Sequence, residues 1–205
     1  MGIDPSDLIG PHYTADIIDL ESASLDDRIA LFEDRVRGYF TTPARLIINT
    51  YENSVFLILL VVSMCVEWLE TFHQGQSSSR QSKRFFKSGF RRIFNPSRPE
   101  HVPEDKFEEN LDKILDEVYY QIRSGLVHTG TTRSKVLITN QIREPMKVDF
   151  NPTTGEVERM QINPVMSLLS IEFYLSEFCT DLRNRKNDEL RQKFNQAWDD
   201  LIDEE

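Results

Sequence analysis

The sequence predicts a mainly α protein, an up-and-down helical bundle with a small β-hairpin insertion. Apolar residues recur every three or four positions over most of the 205-residue chain, as they do on the buried face of an amphipathic helix. Ser24, Thr42-Pro43 and Pro103 are residue types that commonly begin helices. Over residues 134–162 the apolar spacing changes to alternate positions around a turn rich in proline and glycine, which is typical of a hairpin.

Length and composition favour one globular domain spanning residues 1–205. Apolar residues make up 39% of the chain and charged residues 28%, as in ordinary soluble proteins. The net charge of −10 argues against a general nucleic-acid coat protein, so any RNA contact must be local. Cys65 and Cys179 lie far apart without the spacing of paired ligands, so we expect buried reduced thiols and a cytoplasmic location. We expect no signal peptide, because no basic segment followed by an apolar one opens the chain.

The first two helices are predicted within residues 24–73. Ser24 begins the first, and Thr42-Pro43 serves as N-cap and first residue of the second, which runs from Ala44 to Phe72. The apolar run in this second helix is far shorter than the roughly 20 residues that a membrane span requires, and carboxylates flank it. We therefore expect a core helix buried on nearly all sides and no membrane span.

A basic amphipathic helix is predicted over residues 80–95, after a flexible joint at 74–79. No acidic residue occurs between Thr71 and Pro99. This pattern fits a solvated face that balances an acidic body, a contact with an RNA backbone, or an anionic membrane surface. The cations that would contact an RNA backbone are Arg80, Lys83, Arg84, Lys87, Arg91 and Arg92.

The next predicted helix, over residues 103–130, ends in the stretch YYQIRSGLVHTG at positions 119–130. This end carries Arg123 and His128. An arginine matches a phosphate and a histidine exchanges a proton near neutral pH, so the pair could act on a phosphodiester without a metal. Five residues correspond to roughly 140° of rotation on an ideal helix, so convergence requires a loosened last turn or a second copy. The same two residues can also simply stabilise the helix dipole.

The stretch resembles the arginine-x4–6-histidine motif of the HEPN superfamily, all-α domains that often act as ribonucleases in toxin and defence systems. The resemblance implies a homodimer in which two motifs meet, with Arg123 holding the phosphate and His128 acting as acid and base. Ser124 occupies the position where the family often carries Asn, Asp or His. The resemblance also suggests Glu67 and Glu70 as the acidic groups that orient Arg123.

The expected function is that of a metal-independent endoribonuclease or RNA-binding protein of a defence or stress system. The alternative is a non-catalytic HEPN-fold module that binds a protein partner, and a third hypothesis is a peripheral membrane protein. We expect no cofactor and no metal site, because Glu70-x-x-His73 lacks the second copy that a di-iron bundle needs. The remaining residues, 163–203, are predicted to form the C-terminal helices, interrupted by a charged break at 184–188.

Overall fold

The structure, a computed structural model, describes residues 8–14, 17–20, 22–51, 54–125, 135–151 and 153–203, except the side chains of 123–125 and 203. Its helices are α1 (Leu25–Arg35), π1 (Val36–Thr41), α2 (Thr42–Thr50), α3 (Val55–Gln74), α4 (Ser82–Phe94), α5 (Glu104–Val118), π2 (Tyr119–Gly125), α6 (Pro164–Arg183) and α7 (Asp188–Asp203). Its strands are β1 (Leu8–Gly10), β2 (Tyr13–Thr14), β3 (Val136–Ile138), β4 (Met146–Phe150) and β5 (Val157–Ile162). The prediction of a mainly α fold is confirmed.

Helix α3 is the centre of the molecule, because α2, α4, α6, α7 and π2 all pack against it. Aromatic rings from four helices meet around it, and the centroids of Phe32 and Phe72 lie 4.5 Å apart. Phe194 and Trp198 of α7 are completely or almost completely buried beside them. Both cysteines, Cys65 and Cys179, are buried and free.

Ser24, predicted to begin the first helix, and Asn163, where the predicted C-terminal helices begin, both cap helices through side-chain hydrogen bonds. Ser24 and Asp27 form a reciprocal capping box at the start of α1. Asn163 accepts from the backbone N–H groups of Val165 and Met166, and Pro164 takes the first helical position of α6.

The prediction of a single helix from Ala44 to Phe72, capped by Thr42, is wrong in two respects. Thr42 is already helical, and its N–H bonds the carbonyl of Arg37, so the π-helical turn before it removes the need for a cap. The chain also leaves the helix at Tyr51, whose φ of −130° and ψ of 113° are extended, and α3 begins only at Val55.

The first half of α3 is less buried than predicted. Phe56, Leu57 and Met64 are 38%, 45% and 44% exposed, whereas residues of its second half, such as Leu69 and Phe72, lie in the core. By length and composition alone α3 could cross a membrane, although a core helix meets the same criteria. Its packing against α2, α4, α6, α7 and both π-helices fits the role of a core helix.

The predicted hairpin over 134–162 is present as β4 and β5, which pair antiparallel. The stretch Val136–Ile138, whose residues are strand-like in the sequence, forms β3 and adds to the other edge of β5 in parallel, a pairing that the predicted hairpin did not include. The sheet lies on α5, where Phe107 and Phe150 are in ring contact and Asn110 donates to the carbonyl of Gly155. A second unpredicted pair, β1 and β2, is held on α1 by a hydrogen bond of 2.6 Å from Arg35 Nε to the carbonyl of Ile9.

Candidate functional site

The predicted basic helix is α4, and it lies between α3 on one side and α5 on the other. Gly89 allows its close approach to α3, because a Cβ atom at this position would come within 2.5 Å of the Val66 carbonyl oxygen. Phe85, Phe86 and Phe90 on α4 are buried. The helix therefore buries its aromatic side and presents its cations around the rest of its circumference.

Carboxylates of α5 pair with much of this cationic surface. Lys83 Nζ lies 2.7 Å from Asp116 Oδ2, and Lys87 Nζ bridges Asp112 and Asp116 at 2.6 and 2.7 Å. Arg91 Nη2 bonds Asp112 at 3.0 Å. The hydrogen bond from Lys87 lowers the pKa of the Asp112 carboxyl, consistent with charged partners. We call these five residues the ion-pair ladder.

Arg92 turns to the other side of α4, toward α3. Its Nε donates to Glu70 Oε2 at 2.8 Å, and its Nη2 lies 3.3 Å from Glu70 Oε1. The Glu70 side chain has no exposed surface and also accepts from Gln74 and Ser88. Burial raises the pKa of Glu70, but these three donors outweigh it, so the pKa lies below its ordinary value.

The remaining two cations of the predicted set, Arg80 and Arg84, have no carboxylate partner in the part of the chain that the structure describes. Arg84 Nη1 donates to the amide oxygen of Gln81 at 2.8 Å. Arg80 has a φ of 61°, in the left-handed region, and leads the chain into α4. Both residues are exposed.

All six predicted cations line one open groove of about 850 Å³. Asp112 is the acidic residue that lines it, together with Gln81 and Ser88. Cations therefore outnumber carboxylates in the lining, even though the ladder neutralises several of them. Such a groove can attract and hold a polyanion.

The predicted motif begins beside this groove. Residues 119–125 form π2, which packs against α3 and α4, and the ring of Tyr119 contacts Phe86 at a centroid distance of 5.5 Å. Tyr120 is 56% exposed, and Lys83 Nζ lies 4.9 Å from its ring centroid. The two tyrosines that precede Arg123 therefore contact α4, with Lys83 as the cation beside them.

The predicted catalytic residues lie partly or wholly outside the described residues. Arg123 and Ser124 belong to π2 by their backbone, but their side chains are outside the description, as is the whole of His128. In a π-helix the backbone bonds join residues i and i+5, so side chains five positions apart lie closer to one face than in an α-helix. Because π2 ends at Gly125, most of the interval from Arg123 to His128 lies outside the described residues, and the convergence of the two side chains stays a prediction.

The two predicted orienting carboxylates behave differently. Glu70 is engaged by Arg92, as described above. Glu67 is 6% exposed and its Oε1 accepts from Ser78 Oγ at 3.0 Å. Because the side chain of Arg123 is not described, its orientation by Glu67 or Glu70 stays a prediction.

Sequence reasoning did not anticipate the polar cluster beneath Arg92. The Tyr174 hydroxyl and His73 Nδ1 lie 3.1 Å apart, adjacent to Glu70 and Arg92. Burial, with a smaller contribution from the charge of Arg92, lowers the pKa of His73. The matched four-residue spacings of Lys83 and Lys87 and of Asp112 and Asp116 could have indicated the ladder, but nothing local indicated this cluster.

Comparisons of the chain with protein-family models, with curated proteins and with solved structures found no match. The site's own chemistry therefore carries the functional argument.

Proposed function

We propose that this chain is an RNA-binding protein of HEPN-like architecture that holds a phosphodiester backbone in the α4 groove and cleaves it at the Arg123 and His128 motif. The observation that carries this proposal is the position of π2. The segment that begins the motif packs directly on the helix that supplies the cationic groove, with Tyr119 against Phe86 and Lys83 over Tyr120.

The groove contributes binding energy through charge. Arg80 and Arg84 are exposed and carry no described carboxylate partner, so phosphates can pair with them without breaking an ion pair. The groove also contains the three cations of the ion-pair ladder, and these contribute less binding energy because Asp112 and Asp116 already pair with them.

The motif contributes chemistry. Arg123 holds the scissile phosphate and stabilises the charge that develops on it. His128 takes the proton of the attacking 2′-hydroxyl or supplies one to the leaving oxygen, and Ser124 adds a hydrogen-bonding group. A homodimer would place two copies of this motif at one cleft, as the HEPN resemblance implies. A role in defence or stress follows from the same resemblance.

The decisive experiment measures cleavage of labelled single-stranded RNA in EDTA. We expect cleavage by the wild-type protein and none by His128→Ala, with the fold of both checked by circular dichroism. His101→Ala is the matched control, because His101 is an exposed histidine on the segment before α5. Equal cleavage by wild type and His128→Ala would reject the catalytic assignment.

Binding is tested separately with 2′-O-methyl RNA, which lacks the attacking hydroxyl. Arg80→Glu/Arg84→Glu should weaken binding and flatten its salt dependence, because two phosphate contacts are lost. Arg143→Glu/Arg185→Glu makes the same charge change at exposed positions outside the groove. Binding without cleavage would retain RNA binding and reject the ribonuclease, and an equal effect of both double variants would reject the groove.

A second candidate is a non-catalytic module that binds a protein partner. The observation favouring it is the ion-pair ladder, since cations that are already paired with Asp112 and Asp116 are a poor phosphate surface. This candidate predicts no cleavage and no RNA affinity in the two assays above.

A further inference from the structure

A pocket of about 410 Å³ opens between the end of α4 and the middle of α6. Arg92, Leu169, Phe173, Tyr174 and Glu177 are among the residues that line it. Phe173 is 65% exposed and Leu169 is 41% exposed, although the same helix buries residues such as Ile171 and Leu175 completely. The pocket therefore has an aromatic wall that the core of the protein does not use.

Arg92 connects this pocket to the cationic groove, because its side chain lines both cavities. Two of its five N–H donors are committed to the buried Glu70 carboxylate. This bidentate pair holds the guanidinium in one orientation, while 37% of the side chain remains exposed. A strand in the groove would therefore meet a fixed cation at the entrance to the pocket.

The polar side chains of the pocket differ in whether they can form a hydrogen bond with a ligand. The Tyr174 hydroxyl is engaged by His73 Nδ1 at 3.1 Å, so Tyr174 offers its ring and not its oxygen. Glu177 is exposed at the rim and makes no ion pair or hydrogen bond through its side chain in the described part of the chain. Its carboxylate accepts hydrogen bonds and cannot donate them when ionised.

We propose that this pocket binds one unstacked nucleobase of the RNA strand held in the α4 groove, and that it prefers a base with an exocyclic amino group. Phe173 and Tyr174 contact the base, Arg92 binds its phosphate, and Glu177 accepts a hydrogen bond from the amino group. Adenine, cytosine and guanine carry such a group and uracil does not. The inference rests on the proposed RNA-binding function and adds a base preference to it.

A nucleotide fits these features better than an apolar peptide does. The pocket combines a ring surface with a fixed cation on one side and an acceptor on the other, which matches the phosphate, ring and amino group of one nucleotide. An apolar peptide would use Phe173 and Leu169 but has no anionic group for the exposed part of the Arg92 guanidinium.

The test measures the affinity of 2′-O-methyl oligoadenylate and oligouridylate by fluorescence anisotropy. Phe173→Ala should weaken oligoadenylate binding about 5- to 150-fold, the range for loss of one base–aromatic contact. Leu46→Ala is the control, because Leu46 is an equally exposed apolar side chain on α2. Truncation of the exposed Phe173 ring spares the core.

Glu177→Ala tests the base preference. Wild type should bind oligoadenylate more tightly than oligouridylate, and Glu177→Ala should lower that ratio toward one. The ratio is the readout because loss of one negative charge strengthens binding of both strands equally. Asp181→Ala, at an exposed acidic position one turn further along α6, should leave the ratio unchanged.

Free AMP and UMP separate this inference from the proposed function, with chemical-shift changes near Phe173 as the readout. If Arg80→Glu/Arg84→Glu weakens RNA binding but Phe173→Ala does not, the groove stands and the pocket assignment is overturned. If AMP changes the chemical shifts near Phe173 while no oligonucleotide binds, the pocket assignment stands and the RNA-binding proposal fails. If neither nucleotide nor oligonucleotide binds, both are overturned and the exposed ring is assigned to a protein contact.

Discussion

Glu70 and Arg92 form a two-point ion pair between α3 and α4, with Arg92 Nε 2.8 Å from Glu70 Oε2 and Arg92 Nη2 3.3 Å from Glu70 Oε1. The pair is asymmetric, since the Glu70 side chain is fully buried and that of Arg92 is 37% exposed. Gln74 and Ser88 complete the shell around the carboxylate. The pair links α4 to α3 and fixes the orientation of the Arg92 guanidinium, which lines both the α4 groove and the pocket beside α6.

The full burial of Glu70 predicts a large cost of removing its partner Arg92. Arg92→Ala leaves a buried carboxylate without its cation and should lower the free energy of unfolding by roughly 3 kcal/mol. Arg91→Ala, the neighbouring control in the partly exposed ladder, should cost about 1 kcal/mol or less. Urea denaturation measures both. In a Glu70→Gln background, Arg92→Ala should cost at least about 1 kcal/mol less than in wild type, and additive effects would contradict the coupling.

The same pair predicts a pH dependence. The pKa of Glu70 is lowered in the folded protein from a reference value of 4.5, so the unfolded state binds its proton first as the pH falls. The stability that ionised Glu70 contributes is therefore fully present above pH 4.5 and is lost as the pH falls through the folded pKa. The difference in unfolding free energy between wild type and Glu70→Gln should shrink over that range. A difference that stays constant from pH 7 to pH 3 would contradict it.

The ion-pair ladder predicts that neutralising the carboxylates of α5 strengthens RNA binding. Asp112→Asn/Asp116→Asn releases Lys83, Lys87 and Arg91, so affinity should rise and the salt dependence should steepen by about two to three phosphate equivalents. Stability should change by only about 1 kcal/mol per pair, because these pairs lie at the surface and every side chain in them keeps some contact with solvent. Glu144→Gln/Glu158→Gln, the same charge change just before β4 and on β5, should raise affinity much less. An equal gain in RNA affinity by both double variants would mean that the net charge of the protein, and not the release of the α4 cations, raises the affinity.

Gly89 predicts a packing defect. Gly89→Ala should lower the free energy of unfolding by roughly 1–3 kcal/mol, because the new Cβ meets the Val66 carbonyl oxygen at 2.5 Å and α4 must move away from α3. Arg84→Ala, on the exposed side of α4, should change stability by less than about 0.5 kcal/mol. A Gly89→Ala protein as stable as wild type would show that the two helices separate without cost.

Local pattern was sufficient for most of the secondary structure. Ser24 and Asn163 cap helices through their own side chains, and the hairpin of β4 and β5 follows its alternating residues. The break at Tyr51 and the parallel pairing of β3 with β5 were missed, because the surrounding apolar residues are equally compatible with a continuous helix or an unpaired strand. Strand pairing between Val136 and Met160 depends on contacts across the fold, which the spacing of neighbours does not contain.

The sequence by itself determined a helical chain with a cationic segment and an arginine-histidine motif at the end of a later helix, because periodicity and residue type act over one or two turns. Only the tertiary structure decided which cations of the α4 groove have no described carboxylate partner and so remain available to a phosphate. It paired Lys87 with Asp112 and Arg92 with Glu70, left Arg80 and Arg84 without a described carboxylate, and exposed Phe173 beside Arg92. The physical reason is that neutralisation and exposure depend on which distant helices pack together, and that packing is set by the whole core.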